Sequence, residues 1–153
     1  MNVPPKRPHR PFLKRHSLGL ACTGLVVLLV LLYARSSPAT HLGSFFGNAI
    51  ADWTGVVVMV IGTKYLYERG SAESRTPHGH FRSPLHEAIR DHSLTIFLVV
   101  TGIGWIVLYA RVDSEGKWGQ VVGNIVSEWT QVLGLVLMTK RLIEAKSKES
   151  RSG

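Results

Sequence analysis

The chain has 153 residues, with 18 Lys and Arg against 10 Asp and Glu and a formal net charge of +8. That length fits one domain, and the 45% hydrophobic content excludes a disordered or collagen-like chain. The single Cys22 excludes an intrachain disulfide framework, and its place inside an apolar run makes it a buried thiol rather than a reactive one.

Residues 1–16 are rich in Pro and basic, through Lys6, Arg7, Arg10, Lys14 and Arg15, and read as a basic cytoplasmic segment. The apolar run that follows would suit a signal peptide ahead of Ser36, Ser37, Pro38 and Ala39. A mid-chain copy argues against cleavage. Leu94 to Tyr109 repeats the same frame, from His-Ser-Leu to Leu-Tyr-Ala-Arg, where no signal peptide can stand. Four membrane spans are expected, at about 17–34, 44–66, 93–110 and 120–143, since a bilayer core needs about twenty helical residues. The first and third are slightly short, and flanking Tyr33, Arg35, Tyr109 and Arg111 close the gap at the headgroups. In lipid the backbone must satisfy itself, so the spans are helices.

Lys and Arg concentrate at the N-terminus, in the 68–92 loop and at the C-terminus, while loops 36–43 and 112–119 hold only Lys117. The positive-inside rule then puts both termini and the long loop in the cytoplasm of a multi-pass protein of the bacterial plasma membrane. Ser83 and Pro84 read as an N-cap followed by proline at the first helical position, opening a short interfacial helix ahead of the third span.

The two halves are copies. Residues 8–74 match 84–150 without a gap at a constant offset of 76, and about a third of the pairs are identical. The expected fold is therefore an all-α membrane protein: four transmembrane helices from a tandem duplication of a two-helix unit, with a pseudo-two-fold axis along the membrane normal. The first helix-pair repeat is 17–74, a cytoplasmic linker follows at 75–83, and the second repeat, with the short helix, is 84–150.

Likeness between the halves also separates the helices by role. Between 19 and 31 no position matches its partner, so the first and third spans read as generic packing or lipid-facing surface. In the second span Asn48, Asp52, Trp53, Val56, Val60, Thr63 and Lys64 share an arc of about 160°. Their partners are Asn124, Glu128, Trp129, Val132, Val136, Thr139 and Lys140. Spans two and four are expected to meet along this arc, with Trp53 near Trp129.

Asp52 and Glu128 should lie about 9–12 Å from the outer helix ends. A carboxylate at that depth costs about 2.5–3.5 kcal/mol and must be paired, hydrogen-bonded, wet or protonated. Asn48 and Asn124 stand one turn earlier, and Arg35 and Arg111 are expected to supply the counter-charges. The functional reading is a proton or cation site; the bland reading is a polar clasp that fixes helix register. Gly43, Gly47, Ala51 and Gly55 form a small-residue ladder for close helix packing, alongside Trp53 and Trp129. At the other end of the helices, His16 and Glu68 are expected to meet, with Ser17 and Ser93 as N-caps.

Each repeat ends on one pattern. It is Asp52-Trp53, Thr63, Glu68, then Gly70-Ser71-Ala72-Glu73-Ser74 in the first copy, and Glu128-Trp129-Thr130-Gln131, Thr139, then Ser147-Lys148-Glu149-Ser150 in the second. This resembles an uncharacterised family of small actinobacterial membrane proteins with an acidic–aromatic–Gln helix and a Gly-Ser-Ala-Glu-Ser tail, although the first copy carries Gly55 where the Gln would stand. The resemblance implies a plasma-membrane location and supplies no activity.

No nucleophile–base pair, phosphate loop or dinucleotide fingerprint is present, so the expectation is not an enzyme and no cofactor. His78, His80 and His86 lack a Cys or a clear fourth ligand, so no metal is expected. Expected partners are the bilayer, anionic lipid at the basic segments, and a membrane-protein partner or a second copy; nucleic acid is not expected. The expected function is a non-enzymatic membrane interaction or scaffold protein, the alternative a small proton- or cation-coupled transporter using Asp52 and Glu128.

Overall fold

The computed structural model describes residues 12–74 and 83–142. Among them the chain is helical throughout its regular structure: α1 (Phe12–Arg35), α2 (His41–Tyr65), α3 (Pro84–Asp91), α4 (Ser93–Tyr109) and α5 (Lys117–Met138). α1, α2 and α5 are each long and apolar enough to cross a membrane. α3 and α4, bent by 64° at their junction, supply a fourth candidate if taken as one broken span. α4 alone has 17 residues, about 25 Å of rise against a hydrocarbon core of about 30 Å.

The helix ends follow local chemistry. The Thr40 hydroxyl accepts the Gly43 amide at 3.0 Å and so starts α2. Pro84 takes the first turn of α3, where a missing N–H costs nothing, behind Ser83 at the cap position. The two expected serine caps are not caps. Ser17 lies inside α1, which runs unbroken past His16. Ser93 is the first residue of α4, behind a His92 cap, and its hydroxyl accepts the Tyr67 amide at 2.9 Å instead.

α2 packs against α1 on one side and α5 on the other, and α5 packs in turn against α4. The seam between the two helix pairs is therefore α2 on α5, as expected, with α1 and α4 at the flanks. In a bilayer, whose tails are as apolar as leucine, close packing rather than water exclusion would hold such a seam. Small residues provide the approach. A Cβ on Gly47 would stand 3.1 Å from the Tyr33 ring, and one on Gly123 would stand 3.0 Å from the Tyr109 ring. Gly43 and Gly119 are tighter still: a Cβ would fall 1.9 Å from the carbonyl oxygens of Ser37 and Asp113. These glycines let each short loop fold back onto the first turn of the next helix.

Lys117 locks the pairs together at that end. Its ammonium donates to the carbonyls of Ala34 at 3.1 Å and Ser36 at 2.5 Å, closing the C-terminus of α1. Its own carbonyl accepts the hydroxyl of buried Tyr33 at 2.6 Å.

Candidate interaction site at the α2–α5 seam

Asp52 stands eleven residues after His41, and Glu128 eleven after Lys117. Each is about 16 Å from the start of its helix. Both carboxylates are thus deeper than the sequence suggested, because α2 and α5 begin three residues before their apolar runs. The seam brings the expected polar residues together. The Asn124 amide donates to the Asn48 side-chain oxygen at 2.6 Å. One turn on, Glu128 crosses over Gly55, where a Cβ would meet its Cγ and Oε1 at 2.7 Å. Asp52 lies near enough to act on Glu128 electrostatically.

The expected counter-charges are elsewhere. Arg35 and Arg111 are exposed, and among the described residues neither forms an ion pair with Asp52 or Glu128. The reason is geometric. Each Arg sits at a helix end, about 16 Å along the axis from a mid-helix carboxylate, and Lys117 already occupies the end of α1. Asp52 and Asn48 are exposed, while Glu128 and Asn124 are half-buried. Phe45 and Val56, on the same face of α2, are exposed as well. The result is a polar strip, two acids and two amides, along an open side of the seam.

The Gly43, Gly47, Ala51 and Gly55 ladder serves several neighbours. Gly43 seats the loop, Gly47 seats Tyr33, Gly55 seats Glu128, and Ala51 is buried in the core. The two tryptophans diverge, contrary to expectation. Trp129 is buried toward α4, where its indole N–H donates to the Thr101 hydroxyl at 2.9 Å and its ring meets Trp105 edge-on at 5.8 Å. Trp53 stays 36% exposed. Thr101 corresponds to Leu25 in the first half, which has no oxygen to accept the indole proton.

A second cluster, which the sequence pattern only half revealed, closes the opposite end. After α2 the chain turns back through residues 66–74 and lies against the start of α4 and the end of α5. Glu68 is fully buried there. Its Oε1 takes the Lys140 ammonium at 2.6 Å and His92 Nδ1 at 2.7 Å, and its Oε2 the Thr95 amide at 3.4 Å. Ser71 and Thr139 share a hydroxyl hydrogen bond at 2.9 Å. The Leu94 amide donates to the Tyr67 carbonyl at 3.0 Å and the Arg69 amide to the Asp91 carbonyl at 2.6 Å. Gly70 makes the turn with φ 95°. Burial by itself would raise the Glu68 pKa. Hydrogen bonds from Lys140, Thr95 and His92, with the charge of Lys140, outweigh it and hold the carboxyl below its ordinary value. The expected contact between His16 and Glu68 is thus replaced: Glu68 joins His92, and His16 Nδ1 meets the Lys64 ammonium at 2.9 Å. His78 and His80 of the weak metal motif, and Glu144, lie outside the described residues.

No protein-family model matches this chain, and no curated protein or solved structure does.

Proposed function

We propose that this chain is a non-enzymatic membrane interaction or scaffold protein of the bacterial plasma membrane, and that the open strip on the α2–α5 seam pairs with a second copy. The exposure of Asp52 carries the reading. A mid-helix carboxylate facing lipid costs about 2.5–3.5 kcal/mol, and Glu128, Asn48 and Asn124 beside it add to the polar surface that lipid cannot satisfy. A two-fold pairing of seams covers the strip, and the amides and any shared proton then bridge the carboxylates.

The same reading takes the chain as four spans from a tandem duplication, with both termini cytoplasmic and basic segments against anionic lipid, in keeping with its resemblance to small actinobacterial membrane proteins. Contacts in equivalent places support the duplication: Gly47 and Gly123 under equivalent tyrosines, Gly43 and Gly119 against equivalent carbonyls, and an asparagine pair at an offset of 76.

One observation favours the transporter alternative. Asp52 and Glu128 are acids near enough across the seam to act on each other electrostatically, and such a pair readily holds a proton or cation. The two readings separate in bilayer nanodiscs and liposomes. Energy transfer between labelled copies that survives dilution with lipid and is lost in an Asp52→Leu, Glu128→Leu variant supports pairing. A pH-dependent ion flux by monomers, lost in Asp52→Asn, Glu128→Gln, supports transport.

A further inference from the structure

The two helix pairs are closed differently at the end where α1 begins and α2 stops. In the second pair the buried Glu68 carboxylate bridges the helices. It takes the Lys140 ammonium just past α5, and His92 and the Thr95 amide at the start of α4. Among the described residues no carboxylate does this in the first pair, and none pairs with Arg15 or Lys64. Lys64 corresponds to Lys140 at the offset of 76. Its ammonium donates to His16 Nδ1 at 2.9 Å. An ammonium cannot accept, so the imidazole is the neutral partner there, and Lys64 keeps its charge and two further N–H groups.

Between the start of α1 and the end of α2 runs a groove of about 910 Å³, within the about 300–1,000 Å³ of ordinary ligand sites. Arg15, in the first turn of α1, and Lys64, in the last turn of α2, line its charged end. Glu73 is the one acid among its described lining residues, so the two cations outnumber it. From there the lining runs inward past Gly19 and Ile61 to Thr23, eight residues beyond Arg15 and about 12 Å deeper. Gly19 is the floor, where even a Cβ would touch Ile61 at 3.6 Å. Leu20 and Ile61 are exposed along this inner arm, so it opens sideways to where the tails of a bilayer would lie. Phe12 and Tyr65 flank the charged end and are largely exposed; Tyr rings settle at headgroup level.

A groove that is cationic at headgroup level and apolar beside the tails has the polarity of a phospholipid. We propose that it holds one anionic phospholipid of the cytoplasmic leaflet, with the phosphate on Arg15 and Lys64 and one tail along Gly19 and Ile61. The phosphate then does for the first pair what the Glu68 carboxylate does for the second: it ties the start of one helix to the end of the next. The tail gains nothing by leaving the bilayer, because lipid is as apolar as the side chains it would meet. Headgroup charge therefore decides the occupant, and it favours an anionic lipid over a zwitterionic one. The proposal rests on the membrane reading of the chain and not on the pairing of seams.

Native mass spectrometry tests it, on the full chain released from nanodiscs of phosphatidylglycerol and phosphatidylcholine with identical tails. One phosphatidylglycerol per chain should persist after the phosphatidylcholine has been stripped. Arg15→Gln with Lys64→Gln should weaken its retention about ten- to thirtyfold, the weight of two surface charges facing anionic lipid. Arg35→Gln with Arg111→Gln removes as much charge at the opposite helix ends and should leave retention unchanged. Equal retention of the two lipids, or equal loss in the two variants, would overturn the site. Excess glycerol phosphate, a headgroup without tails, should not displace the lipid; displacement would reveal a free-phosphate site and overturn the proposal. A second readout needs no substitution. When phosphatidylglycerol replaces phosphatidylcholine, acylation of Lys64 should fall relative to Lys14, which is exposed and lies off the groove. Parallel changes at the two lysines would mean diffuse attraction only, and would overturn it. A chain that does not enter nanodiscs as folded helices, by circular dichroism, would overturn the membrane reading and the site together.

Discussion

Removing the Lys140 ammonium should destabilise the protein more than removing it together with the charge of Glu68. Glu68 is fully shielded, and Lys140 and His92 meet one of its oxygens at 2.6 and 2.7 Å. Breaking a fully buried ion pair from one side costs about 3–5 kcal/mol, because the remaining charge is left without a partner. The side chains of Lys140 and His92 are 26% and 47% exposed, and the Thr95 amide still faces the carboxylate, so screening lowers the expectation for Lys140→Met to about 2–3 kcal/mol. Glu68→Gln keeps the shape and leaves Lys140 free to reach water, at about 1–2 kcal/mol. The double variant removes both charges and should cost no more than Lys140→Met alone, a coupling of about 1–2 kcal/mol. Reversible unfolding by SDS in mixed micelles, followed by circular dichroism, gives all four corners of the cycle. Effects that add to within about 0.5 kcal/mol would refute the buried pair.

The same site sets a pH dependence. A carboxyl held below its ordinary value contributes stability that is complete above about pH 4.3 and is lost as pH falls through the depressed folded value. The wild type should therefore lose more stability than Glu68→Gln on acidification below that point, which the same titrations would show. Gly43→Ala or Gly119→Ala drives a Cβ to 1.9 Å from a loop carbonyl and should cost more than about 2 kcal/mol. Gly24→Ala meets nothing within 4 Å, so helix propensity should make it neutral or stabilising by up to about 1 kcal/mol. Trp129→Phe removes the indole donor of the Thr101 hydroxyl, which keeps its own bond to the Phe97 carbonyl, and should cost about 0.5–1.5 kcal/mol, while Trp53→Phe should cost clearly less in the same assay.

The sequence made the helix plan legible because membrane spans are written in long apolar runs and because one half can be read against the other. Asn48 and Asn124, alike in both halves, do meet on the seam that their likeness pointed to. What failed was the choice of partner for single side chains away from that asparagine pair. Trp53 and Trp129 match in sequence yet face different surroundings, because the deciding atom, the Thr101 hydroxyl, lies in the stretch 95–107, where no residue matches its partner in the first half. Arg35 and Arg111 read as counter-ions for carboxylates about 9–12 Å from the outer helix ends; the added first turns of α2 and α5 move Asp52 and Glu128 out of reach. Glu68 was visible as a retained acid, but its partners come from the other half. Periodicity within one helix pair carries no information about which half a tail crosses to.

The pairing of seams can be measured most directly at Val56, which is 40% exposed one turn beyond Asp52. Val56→Cys in a Cys22→Ser background, oxidised in native-like bilayers, should give disulfide-linked dimers. Their yield should persist as the chain is diluted into lipid, and should fall to background when Asp52→Leu and Glu128→Leu are added. A cysteine at this position that never links two copies at any density, in a chain shown to be folded by its α-helical circular dichroism, would contradict the account.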